Sequence, residues 1–119
     1  MLEAIIISYL EDALDVPVYA ETPETLPGTF VLVERTGSRT TNKLCTASIA
    51  VQSYAPTMFE AAQLNELVKQ AMDIEEVGTL DTVAGCHLDT DYNFTDTSQK
   101  KYRYQAVFDL TYYGEEEEE

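Results

Sequence analysis

The sequence predicts an α+β fold: a mainly antiparallel sheet with two helices packed on one face, in the order α-β-β-β-α-β-β. Two segments repeat apolar residues at spacings of three and four, the period of a helix with one buried face. Other segments alternate apolar and polar residues, the period of a strand with one buried face. The helical segments are separated by runs of strands, an arrangement that gathers the helices into one layer over the sheet. The chain has 119 residues, of which 45% are hydrophobic and 24% charged. That is enough apolar material for one packed domain without a disulfide or metal staple. Residues 1–114 are assigned to that domain and 115–119 to an acidic, disordered tail.

Taken in order, Leu2, Ile5, Ile6, Tyr9, Leu10 and Ala13 line one side of the first helix. It must end before Pro17, because a residue preceding proline is pushed out of the helical region. Residues 16–20 form a short strand, and 22–28 a loop punctuated by Pro23, Pro27 and Gly28. Residues 30–36 are rich in β-branched and aromatic side chains, with Val31 and Val33 alternating with Phe30 and Leu32, a pattern of burial on both faces. A polar turn follows over 37–43. Then Cys45, Ala47, Ile49 and Val51 alternate with Thr46, Ser48, Ala50 and Gln52. These two strands make a hairpin with a long, basic tip. Thr57 and Glu60 have the spacing of a capping box at the start of the second helix. Its stripe is Ala61, Leu64, Leu67, Val68, Ala71 and Ile74, about five turns that stop at Gly78. Two strands close the domain. Leu88, Thr90, Tyr92 and Phe94 alternate with Asp89, Asp91, Asn93 and Thr95, and Tyr102, Tyr104, Ala106, Phe108, Leu110 and Tyr112 face away from Lys101, Arg103, Gln105 and Asp109.

Twenty-two acidic residues against seven basic ones give a net charge of −15. Direct nucleic-acid binding is disfavoured, since it rests on Lys and Arg displacing counterions from phosphates. Adhesion to an anionic membrane is disfavoured likewise. No apolar run approaches the roughly 18–20 residues of a membrane span, and the N-terminus lacks the basic start and cleavage site of a signal peptide. The expectation is a chain made and folded in a cytoplasm. The glutamates at 115–119 hold five of the charges, so the acidity belongs to the domain as well as to the tail.

The chemistry-bearing residues are sparse. Cys45 and Cys86 are too few for a disulfide scaffold or a zinc ligand set and read as small buried thiols. Asp89, Asp91 and Asn93 have the spacing of an EF-hand loop, but Phe94 stands where glycine makes the turn and Lys100 where the closing glutamate belongs. The strand alternation makes these acids a solvent face. His87 adjoins Cys86, yet neighbours on a strand point to opposite faces, so the two do not form a catalytic pair. A contact from His87 to Cys45 across strands stays open at this point. Neither a glycine-rich phosphate loop nor a serine elbow occurs. No enzyme activity, cofactor or metal is expected.

Protein contacts are better supported. Tyr54 and Tyr113 stand on polar sides of their strands, where aromatic residues anchor interfaces. Arg35, Arg39 and Lys43 flank or occupy the hairpin tip, and Lys100, Lys101 and Arg103 open the last strand. Such segregated charge steers one copy onto another and fixes register more than it adds affinity. The interface set is therefore Arg35, Arg39, Lys43, Tyr54, Lys101, Arg103 and Tyr113.

Several stretches carry a family likeness: Leu14-Asp15-Val16-Pro17-Val18-Tyr19 after the first helix, and Pro27-Gly28-Thr29-Phe30-Val31-Leu32-Val33-Glu34-Arg35-Thr36-Gly37. Val51-Gln52-Ser53-Tyr54-Ala55 with the helix after it, and Arg103-Tyr104-Gln105-Ala106, fit the same pattern. Over nearly all of residues 1–114 the chain resembles the tail terminator (tail completion) proteins of long-tailed, siphovirus-like bacteriophages and prophages. The resemblance implies a structural virion protein. It would form a hexameric ring on the head-proximal end of the tail, stopping tube polymerisation and presenting the head-tail joining surface. The implied partners are further copies of the chain, the tail tube protein and the head connector or completion protein, after assembly in the bacterial host cytoplasm. The 35–43 hairpin would reach a neighbouring subunit or the tube. Two other readings fit the charge and size: an acidic DNA-mimic inhibitor of a host nucleic-acid-binding protein, and another phage neck or head-completion component.

Overall fold

The computed structural model describes residues 2–21, 28–41, 44–78, 80, 83–95 and 102–113, and of 38–41, 44, 74 and 75 the backbone alone. Its elements are α1 (Leu2–Leu14), β1 (Val18–Tyr19), β2 (Phe30–Thr41), β3 (Leu44–Ala55), α2 (Met58–Ala71), α3 (Ile74–Val77), β4 (Val83–Asn93) and β5 (Tyr102–Tyr113). The fold is α+β. Five strands form one sheet in the order β1-β2-β3-β5-β4, antiparallel except for the short β1 beside β2. Helix α1 packs against β1 and β2, and α2 against β3 and β5, so the helices cover one face of the sheet and, among the described residues, leave the other open. No helix among the described residues is long and apolar enough to cross a membrane. The assigned tail at 115–119 lies outside the described residues.

Helix α1 buries Leu2, Ile6 and Leu10, the central row of the apolar stripe. It stops at Leu14, where Asp15 takes a left-handed conformation (φ 58°) and donates its N–H to the Glu11 carbonyl at 3.0 Å. Short polar side chains tolerate that conformation, and the turn leaves Pro17 in extended chain. The carbonyl of Pro17 then accepts from the N–H of Val31, starting the β1–β2 pairing. At the other helix, Thr57 Oγ1 accepts from the N–H of Glu60 at 3.2 Å. The Glu60 carboxylate returns to the Thr57 hydroxyl at 3.0 Å instead of to its amide, a variant of the capping box.

Four expectations are corrected. The stretch 37–41 is strand, not turn: β2 runs to Thr41 in register with Leu44, because the threonines continue the ladder past a bulge between Arg35 and Gly37. The second helix is not continuous to Gly78. α2 ends at Ala71 with Met72 as its cap, and the Asp73 carbonyl accepts from Glu76 and Val77 to start a separate turn, α3, after which Gly78 does stop the chain's helical run. Leu67 lies beside the buried row of Ala61, Leu64 and Val68 and is 49% exposed. The fourth correction concerns β4, where a bulge between Leu88 and Thr90 reverses which side chains face the helices. Asp91 then faces α2, while Tyr92 and Phe94 join the open face, 42% and 38% exposed.

The core lies between the sheet and the helices. Val31, Val33, Ala47, Ile49, Val51, Ala106, Phe108 and Leu110 from the strands meet Leu2, Ile6, Leu10, Leu64, Val68 and Met72. Burial is indeed two-sided at the start of β2. Phe30 is buried on the open face beneath Tyr54, with rings stacked at 4.4 Å and 8°, and Tyr19 meets it edge-on at 6.0 Å.

Candidate interaction surface

Register assembles the open face. Antiparallel pairing sets Tyr54 of β3 directly opposite Arg103 of β5, and Gln52 opposite Gln105, which in turn faces Tyr92 of β4. Arg103 donates from Nε to the Phe94 carbonyl at 2.7 Å and from Nη1 to the Tyr54 hydroxyl at 2.7 Å. Its guanidinium carbon stands 4.3 Å from the centre of the Phe94 ring and 5.6 Å from that of Tyr54. An arginine held between two aromatic rings gains cation–π attraction and loses rotamer freedom, so its remaining donors are fixed in direction. From there the hydrogen bonds run one way across three strands. Tyr54 donates to Gln52 Oε1 at 2.8 Å, Gln52 Nε2 donates to Gln105 Oε1 at 2.8 Å, and Gln105 Nε2 donates to the Tyr92 hydroxyl. Each donor polarises the next, which strengthens such a chain. Tyr92 also meets Phe94 edge-on at 5.8 Å.

The seven residues expected at an interface do not form one site. Tyr54 and Arg103 are brought together as the centre of this cluster. Arg35 is not available at a tip. It sits midway along the hairpin on the helix side, opposite Ile49, where its Nη2 is 2.9 Å from Glu3 of α1 and its guanidinium lies 5.8 Å from the Tyr112 ring. The bulge follows it, so its parity matches Val31 and Val33 and it faces the helices. Arg39 takes the register position opposite Thr46, and Tyr113, exposed, the position opposite Leu44 at the far end of β5. Lys43 and Lys101 lie outside the described residues. Nor is the hairpin a free arm: β3 pairs with β5 over its whole length, from Leu44 opposite Tyr113 to Ala55 opposite Tyr102.

Phe94, Tyr92, Gln52 and Gln105 were not singled out by sequence as interface residues. The glutamines stand on the polar sides of their strands, which is legible, but only the register makes them partners. Tyr92 and Phe94 share the alternation of Leu88, and the bulge that frees them has no glycine or proline to announce it.

The covered face holds the remaining titratable groups. Past the bulge, Asp91 accepts from Asn65 Nδ2 at 2.9 Å and from Lys69 Nζ at 3.1 Å, with Glu66 on the far side of the lysine at 2.9 Å. The hydrogen bonds to Glu66 and then Asp91 raise the Lys69 pKa. Cys86 points toward the core and is pushed up to about 12, chiefly by burial and then by Asp73 and Asp109. A thiol that holds its proton so firmly is a poor nucleophile. His87 points the other way, 3.4 Å from Asp109 across the strands, and so does not meet Cys45, which is buried on the helix side. Between α1 and α2 an open groove of about 530 Å³ is lined by Tyr9, Leu14, Leu67, Ala71, Asp73 and Glu76. Tyr9 spans it, donating to the Ala71 carbonyl at 2.6 Å, and burial raises its pKa. Among the described residues no three His, Cys, Asp or Glu side chains are grouped to hold a metal ion.

Comparison of the chain with protein-family models and with curated proteins finds no match.

Proposed function

We propose that the chain is a structural protein of a phage tail: a terminator that caps the head-proximal end of the tail tube as a hexameric ring. In this role it stops tube polymerisation, presents the surface on which the head connector or completion protein docks, and does no catalysis. Two lines support the reading. The sequence resembles terminators over nearly all of residues 1–114. The observation that carries it is the sheet with one covered face and one open face, on which Arg103 is clamped between Phe94 and Tyr54 beside further exposed aromatics. Exposed aromatic residues and arginine, pre-positioned on rigid strands, are the composition of protein–protein hot spots. Within the clamp, Tyr54, Gln52, Gln105, Tyr92 and Phe94 are uncharged, and the described carboxylates of the open face, Glu34 and Asp109, stand outside it. The contact set implied by the geometry is Tyr54, Phe94, Arg103 and Tyr92, with Arg35 removed from it.

The deciding experiment is negative-stain imaging of the purified chain mixed with terminator-deficient tails of its own phage. Tubes of uniform length, each capped by a ring, are the expected result. Tubes that continue to lengthen while the protein stays free would overturn the reading.

A further inference from the structure

The two ends of β5 differ in charge. At its start stands Arg103, held by Tyr54 and Phe94, and the side chains described around it on the open face, Phe30, Gln52, Tyr92 and Gln105, are uncharged. Among the described residues Arg103 has no carboxylate within salt-bridge distance, whereas Arg35 is occupied by Glu3. Among the described residues only Nε and one Nη1 donor are engaged, within the clamp, which leaves the rest of the fork for a carboxylate. Lys100 and Lys101 precede this end in sequence, against Asp96. Just beyond the other end of β5, after Tyr113 and Gly114, come five consecutive glutamates at 115–119.

A chain's own tail does not reach its own clamp. Arg103 and Tyr113 are ten strand residues apart, roughly 33 Å at ~3.3 Å per residue. Residues 114–119 span at most about 22 Å fully extended. They also follow a strand that runs away from Arg103, so they would have to turn back first. A second copy has no such limit.

We infer that the glutamates at 115–119 of one copy dock on the Arg103–Tyr54–Phe94 clamp of another, a head-to-tail contact between copies of this chain. The rings flanking the guanidinium exclude water on two sides, and the extended acidic segment lies along the Gln52–Gln105–Tyr92 row. The contact acts against the general repulsion of two acidic bodies. At physiological ionic strength that repulsion is screened beyond about 8 Å, whereas a partly desolvated arginine–carboxylate pair is screened much less. Because the two surfaces are different patches, the contact is heterologous and extends to a ring or a chain of copies. It requires neither a tube nor a hexamer, so it stands or falls apart from the terminator reading.

Sedimentation of the full chain at physiological ionic strength tests it, alongside two variants: one ending at Gly114, and Arg103→Gln in the full-length chain. The full chain associates as its concentration rises, and each variant alone loses at least about tenfold in association constant, the scale of a truncated charge-assisted contact. Mixed together, the variants form a one-to-one complex, since the truncated chain keeps its clamp and Arg103→Gln keeps its tail. That mixture also covers a folding defect in Arg103→Gln, which supplies only its tail. A full chain that stays monomeric at every concentration, a truncated chain that associates as well as the full one, or a mixture that stays dissociated would each overturn the inference.

Discussion

The two faces of the sheet are held in place by different physics. On the helix side, Ile49, Val51, Ala106, Phe108 and Leu110 are almost fully buried, and a slip of one residue would turn all of them to water. On the open side, Gln52, Tyr54, Gln105 and Tyr92 hold register through directed hydrogen bonds that solvent can replace. The covered face therefore sets the strand alignment and supplies most of the stability. The open face inherits the alignment and is free to carry a contact surface. Strand β4 belongs to both regimes, since its bulge between Leu88 and Thr90 exchanges the two sets of side chains midway along the strand.

Cys86 and His87, adjacent in sequence, divide these environments most sharply. Burial pushes the Cys86 thiol from its ordinary value of 9.0 to about 12, while His87 is 73% exposed. In a Cys45→Ala background at pH 8, alkylation of Cys86 in the folded chain is expected to be slower than in the denatured chain. The thiolate population alone accounts for a factor on the order of several hundred to a thousand, at tenfold per pKa unit. The folded chain holds this proton more tightly than the unfolded one. Its contribution to stability is thus intact below pH 9.0 and is lost as pH rises toward about 12. Equal alkylation rates in native buffer and in denaturant would place Cys86 on the open side and dissolve the comparison.

The parity switch in β4 predicts a difference between two aspartates that sequence treats alike. Asp89 is exposed at the bulge, and Asp91 is half-buried with Asn65 and Lys69 as partners. Asp91→Ala leaves the buried Asn65 amide without its acceptor, and such a loss costs about 1–3 kcal/mol. Asp89→Ala is expected to stay within about 0.5 kcal/mol of the parent, as surface changes do. Urea denaturation of both variants measures the difference. Matching midpoints would mean that the bulge does not reorient the strand.

How far the sequence could be read follows from the same division. Period-three-and-four and period-two patterns are statements about burial, so α1, α2, β3 and β5 were legible, and with them the α+β class. The pairing of β2 through Thr41 was not, because Thr36 to Thr41 carries no apolar pattern and only the opposing strand reveals it. The break at Met72–Asp73 was hidden for another reason. Ile74 continues the helical spacing while Asp73, a good cap residue, quietly starts a new turn. For the open face, Tyr54 and Arg103 were legible one at a time as residues on polar strand sides. That they form one clamp depends on register, and that Phe94 completes it depends on a bulge. The placement of Arg35 was not legible because its neighbours in sequence are polar, whereas its neighbours in space are Glu3 and the Tyr112 ring.

The smallest expected effect tests the claim that the open face is spared from supporting the fold. Gln105 accepts from Gln52 and donates to Tyr92, so Gln105→Ala cuts the hydrogen-bond row at its middle. Cross-strand pairs of this kind contribute about 0.2–1 kcal/mol. Both orphaned partners remain open to water, so the loss belongs at the low end of that range, a few tenths of a kcal/mol. Calorimetry on the purified variant reads it as a slightly lowered Tm with the unfolding enthalpy unchanged. A loss of several kcal/mol instead would show that the row, and not the buried strand residues beneath it, holds β3, β5 and β4 in alignment. The open face would then be constrained by folding, and its aromatic and arginine residues would need no partner to account for them. The contact surface proposed for Tyr54, Phe94 and Arg103 therefore depends on this substitution being nearly silent.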